Sequence, residues 1–200
     1  MRRTLFAIEL AIRLDMQVPG RSVHALCGEL RELARARDMS RQEALGFWQH
    51  LSALLLRELP YCSRGIWDYS NDDAEAGRMF ADYASTLKTK KGARTSPSVY
   101  AGQGPMRGGY VGEQHCNVTF AWLIASGSET ARGLAMSCAV REDALWHRQT
   151  FAHLLRNMGH VNTGDLKSSV FYTIPGDPEY ALTNEDLSSQ DFSYLRSIAG

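Results

Sequence analysis

The chain has 200 residues, 44% of them hydrophobic and 22% charged, and its 22 basic and 22 acidic side chains give a formal net charge of zero. That length suits one domain, and that apolar content supports a packed core and excludes a disordered chain. Zero net charge excludes a protein that coats nucleic acid along its whole surface, while leaving room for a local basic patch.

The stretch MRRTLFAIELAIRL sets Arg2 and Arg3 before an apolar run, as an export signal does. Glu9 and Arg13 interrupt the run and no small-residue cleavage site follows, so it is read as part of the fold. Phe6, Ile8, Leu10, Ile12, Leu14, Met16 and Val18 alternate strictly, with Glu9, Arg13, Asp15 and Gln17 between them. Period two predicts a strand over 4–18, ended by Pro19-Gly20. A helix competes for the same stretch, because Leu, Ala, Glu and Arg favour it and Glu9 and Arg13 would pair at i,i+4.

Residues 21–37 predict a helix with Val23, Leu26, Leu30, Leu33 and Ala34 as its apolar stripe. Its other side carries Arg21, His24, Arg31 and Arg35, a cationic face with little bulk at Gly28. Ser40 and Glu43 form a capping box that opens a second helix, 41–59, which Pro60 closes. Its apolar arc is wide enough to be covered on two sides, by its own fold or by a protein partner. A third helix starts at Asp72 and is expected to stop at Gly92.

A basic, glycine-rich segment follows, over about 88–112, carrying Lys88, Lys90, Lys91, Arg94 and Arg107 with Tyr100 and Tyr110 among them. Cations of this kind neutralise phosphates and tyrosines stack on bases. The segment is equally suited to a surface connector or to pairing with the acidic tail 176–200, which holds Asp177, Glu179, Glu185, Asp186 and Asp191. Beyond it, 117–125 reads as a buried central strand, 132–140 as a paired strand by the alternation of Leu134, Met136, Cys138 and Val140, 142–158 as a helix, and 168–174 as a last strand. The 142–158 helix puts His147 on its apolar face and leaves Trp146 as a contact residue.

With 41–92 set aside as a helical insertion, these elements spell an α+β fold with a ferredoxin-like βαββαβ core and an antiparallel sheet. If 4–18 is helical, the alternative is a helical N-terminal half beside a small antiparallel sheet. The 4 cysteines, Cys27, Cys62, Cys116 and Cys138, make no CxxC pair and no zinc-type spacing, so reduced thiols, no metal, no cofactor and a cytoplasmic location are expected. No apolar stretch is long enough for a membrane. No motif fixes a chemistry. The expectation is a single-domain, non-enzymatic binding module, a subunit of a larger assembly, holding RNA or another polyanion through Arg21, His24, Arg31, Arg35 and the 88–110 segment. An RNA-processing endoribonuclease with His24 as general acid or base is the alternative. A protein–protein subunit using helix 41–59 and Trp146 is the second.

Overall fold

A computed structural model describes residues 2–14, 25–26, 28–35, 39–94, 113–174 and 181–200, with backbone alone at 31, 34–35 and 86–94. The chain is an α+β fold built on one antiparallel sheet. Its strands are β1 (Arg3–Leu14), β2 (Cys62–Ser70), β3 (Gln114–Ala125), β4 (Leu166–Ile174), β5 (Leu182–Thr183) and β6 (Arg196–Ser197). The helices are α1 (Gly28–Arg35), α2 (Arg41–Glu58), α3 (Asp73–Arg94), α4 (Glu129–Cys138), α5 (Arg148–Met158) and α6 (Asn184–Ser188).

The strand order is β4-β3-β1-β2-β6, with β5 on β3. The alternating first segment is a strand through Leu14, as its period requires; 15–18 lies outside the described residues. It runs through the middle of the sheet, between β2 and β3. The ferredoxin-like topology is not reproduced, since the strand order and the helix arrangement both differ. Two local differences account for this. Residues 132–140 are not a strand: α4 occupies 129–138, capped by Ser128, whose hydroxyl accepts from the Ala131 amide at 3.1 Å. Ala131 and Leu134 face inward at helical spacing, and Met136, which period two would bury, is 81% exposed. Conversely, the supposed helical insertion 41–92 contains β2, where Gly65, Asp68 and neighbouring polar residues conceal any alternation.

One sheet face is dry. Phe6, Ile8, Leu10 and Ile12 meet Val118, Phe120 and Trp122 under α2 and α5, which contribute Trp48, Leu51, Phe151 and Leu154. The wide apolar arc of α2 is thus covered by its own sheet and by α5. Its capping box is present, with Ser40 N donating to Glu43 Oε2 at 2.7 Å and Glu43 N to Ser40 Oγ at 3.3 Å. The Trp122 indole N–H is buried without an oxygen acceptor and lies among rings, with Trp48 edge-on at 4.8 Å.

The opposite face is covered in two patches. At one end α3 lays Ala76, Met79 and Phe80 over Leu5 and Leu123. Arg3 anchors that helix: its amide and its Nε both donate to Asp73 Oδ1 at 2.8 Å. At the other end residues 181–200 form a strap, whose Leu182, Leu187, Phe192 and Leu195 pack on Ala11, Tyr172 and Ile174. The strap then pairs with β2 through β6 and bridges His147 through Ala199. His147 is exposed and caps α5 from outside, in place of the inward position expected, because the helix begins only at Arg148. Trp146 is half-buried against Trp67, ring centroids 6.4 Å apart.

Candidate functional site

Between the two patches the described residues leave a cleft of about 280 Å³ on the second face. Its floor is Glu9 from β1, Asp68 from β2 and Tyr172 from β4. Met79, Asp82 and Tyr83 of α3 form one wall, and Tyr194 of the strap forms the other. The register explains the grouping: Ala7 stands opposite Asp68, and Glu9 opposite Thr119, which in turn faces Tyr172, so all point to one side. Glu9 and Asp68 are diagonal neighbours on adjacent strands, about 7–8 Å apart at that spacing.

Glu9 is 2% exposed. Its Oε1 accepts from Asn117 Nδ2 and from the Tyr194 hydroxyl, both at 2.6 Å. Asn117 is itself oriented by Thr119, whose hydroxyl donates to Asn117 Oδ1 at 3.4 Å. The Tyr83 hydroxyl donates to Asp68 Oδ2 at 2.5 Å. Burial, and then the Asp68 carboxylate, push the Tyr83 phenol far above its ordinary range. Burial, and then Glu9, do the same to Tyr172. Both are neutral donors at neutral pH.

Compared with known proteins, the chain matches no family model, no curated protein and no solved structure. The cleft therefore has to be read from its own chemistry. It presents carboxylates and phenols around a small space, and its described lining holds no Lys, Arg, His, Ser or Cys. Among the described residues no group of three or more His, Cys, Asp or Glu side chains is placed to hold a metal ion.

Of the residues expected to bind a polyanion, Arg21, His24, Tyr100, Arg107 and Tyr110 lie outside the described residues. Arg31 and Arg35 fall on α1, and Lys88, Lys90, Lys91 and Arg94 on the last turns of α3. Lys88, Lys90 and Lys91 were expected at the end of that helix as well as at the start of the basic segment; the helix passes the expected stop at Gly92 and takes in Arg94 too, since a glycine weakens a helix by only about 1 kcal/mol. Cys62 and Cys116 are buried, and burial pushes the Cys138 thiol up to about 12, which makes it a poor nucleophile. His115 and Cys116 point to opposite faces of β3; burial lowers the His115 pKa.

The cleft residues were not singled out in the sequence. Glu9 reads there as the solvated side of an amphipathic strand. The available signal was its company: Leu5, Ala7 and Ala11, the other residues of that side around it, are apolar and therefore covered.

Proposed function

We propose that the protein is a non-enzymatic binding module whose ligand site is the cleft between α3 and the strap. The observation that carries this is Glu9, a buried carboxylate held by Asn117 and Tyr194 at the floor of an open cavity. Burying a charge costs several kcal/mol unless it is paired and hydrogen-bonded, so a carboxylate kept at such a place suits a role in binding. Binding is favoured over catalysis because the described lining offers no nucleophile beyond carboxylates, and Glu9 and Asp68 are already engaged by tyrosine hydroxyls. The test is a thermal-shift screen of small polar molecules. Hits that raise the Tm of the wild type but not of Asp82→Asn and Tyr194→Phe support the reading. Equal shifts in all three proteins overturn it.

A second reading is favoured by the length of α3. RNA or another polyanion would be held by the α3 end carrying Lys88, Lys90, Lys91 and Arg94, with Arg21, His24, Arg31, Arg35, Tyr100, Arg107 and Tyr110. Cations held on a helix cost less entropy to fix on a phosphate backbone than cations on a free loop. Fluorescence anisotropy with labelled single-stranded RNA tests it. Steeply salt-dependent binding that Lys88/Lys90/Lys91→Ala weakens is the expected result, and salt-independent or absent binding ends the reading. RNA cleavage abolished by His24→Ala would make the module an endoribonuclease. Assembly through α2 is less favoured, since its apolar arc is already covered within the chain. The cysteine spacing, which makes no CxxC pair, supports a cytoplasmic setting.

A further inference from the structure

We infer that the cleft takes a small organic cation bearing ammonium groups, of the size of a short aliphatic diamine. The inference rests on the cleft being the ligand site, and it names the ligand class. Three features of the cavity converge on it.

The first is charge. Glu9, Asp68 and Asp82 line the space and no basic side chain is among its described lining residues. An anionic ligand would meet like charge, and a neutral one would leave the negative charge of the three carboxylates unbalanced by anything among the described lining residues.

The second is spread. Two of the carboxylates come from neighbouring strands at a diagonal and the third from α3, and they do not converge on one point among the described residues. A point charge such as a metal ion is therefore poorly matched. A chain with a charge at each end reaches separate carboxylates.

The third is lining and size. Tyr83, Tyr172 and Tyr194 line the space with aromatic side chains, and Met79 with an adaptable apolar one. Carboxylates combined with aromatic rings are the usual lining for organic ammonium groups, through ion pairing and cation–π attraction. A space of 280 Å³ equals about nine water volumes. It accommodates a few methylenes with their polar ends, and is small beside sites for drug-sized molecules.

The test is a titration of methionine-methyl-labelled protein with 1,4-diaminobutane dihydrochloride, at constant ionic strength. The Met79 methyl resonance, assigned through Met79→Leu, reads occupancy of the cleft. Butane-1,4-diol and succinate serve as neutral and anionic probes of similar length. The expected result is a saturable shift of Met79 with the diamine alone, with affinity about tenfold weaker in Asp82→Asn, the equivalent of about 1.4 kcal/mol. Glu9→Gln is expected to weaken it further; if that variant does not fold, Asp68→Asn replaces it. If the diol or succinate moves Met79 and the diamine does not, the ligand class is overturned and the cleft survives as a site. If no probe moves Met79 at millimolar concentration, both the ligand class and the cleft reading fail. An equal response in wild type and Asp82→Asn overturns the assignment of the cation to this cleft.

Discussion

Tyr194 joins the strap to the sheet through one hydrogen bond to a buried carboxylate. A hydrogen bond to a charged group contributes about 1.5–3 kcal/mol. Tyr194 is partly exposed, so water replaces some of that on its loss. Tyr194→Phe is expected to lower stability by about 1–2 kcal/mol in urea denaturation, with the larger part retained at high salt because Glu9 is buried. A loss of only a few tenths would mean that Glu9 is held without need of the Tyr194 hydroxyl. Asp73 behaves differently. Its hydrogen bond and charge contact with Arg3 hold its carboxyl below the ordinary carboxylate range. The folded state thus binds that proton less readily than the unfolded chain does. The stabilisation is complete above the unfolded carboxylate pKa of about 4 and is lost as pH falls through the lower folded value. Asp73→Asn should therefore be less stable than wild type at neutral pH, and the gap between their melting temperatures should close in acid. A gap that stays constant with pH would show that the contact acts through geometry and not through charge.

At the scale of elements, β2 is the tightest fit. A Cβ at Gly65 would lie 2.9 Å from Leu10 Cδ2, 3.0 Å from the Glu9 carbonyl oxygen and 3.1 Å from Ile198 Cδ1. The backbone oxygen cannot step aside. Gly65→Ala is expected to cost about 1–3 kcal/mol by overpacking, seen as a lower Tm, whereas Gly133→Ala on the exposed side of α4 meets nothing and should be neutral or stabilising. The same elements show what a sequence can reveal. β1 is legible because Phe6, Ile8, Leu10 and Ile12 alternate with residues that are mostly smaller or polar, and β3 because its apolar run is nearly continuous, although both strands are buried on two faces. The α2 capping box is legible because it is local. β2 is not, because it earns its place by pairing with β1, a tertiary fact, and its Gly65 is dictated by close approach to Leu10 and not by strand preference. α4 misleads because Leu134, Met136, Cys138 and Val140 alternate by coincidence, while Ser128 and the helix formers after it decide the backbone. The cleft is hidden for a related reason: Glu9, Asp68, Tyr83, Tyr172 and Tyr194 are far apart in the chain, and only strand register and the path of the strap bring them together.

For the whole molecule, the strap is structural. Leu182, Leu187, Phe192, Leu195 and Ile198 are all buried. Each contributes about 1.5–3 kcal/mol, so together they rival the ~5–15 kcal/mol that separates a folded domain from its unfolded chain. Ending the chain at residue 180 should abolish cooperative unfolding, as followed by circular dichroism on heating. A truncated protein that melts within a few degrees of the full chain would show the strap to be an accessory. Truncation is accordingly the wrong way to ask whether acidic residues here mask a basic segment. Glu185→Gln, an exposed change that leaves the strap in place, is the suitable variant for the RNA measurement.

The span from Glu9 to Tyr194 is 185 residues. At about 5–20 residues per second, a ribosome needs about 10–40 s to deliver the second partner after the first. Through that interval the nascent sheet lacks the strap's cover over Ala11 and, once β4 has emerged, over Tyr172 and Ile174. Long-range pairing of this kind is slow, and its unfinished forms are prone to aggregation. Nascent chains stalled before the strap should therefore be captured by chaperones that bind bare apolar surface, and should be released once the strap is synthesised.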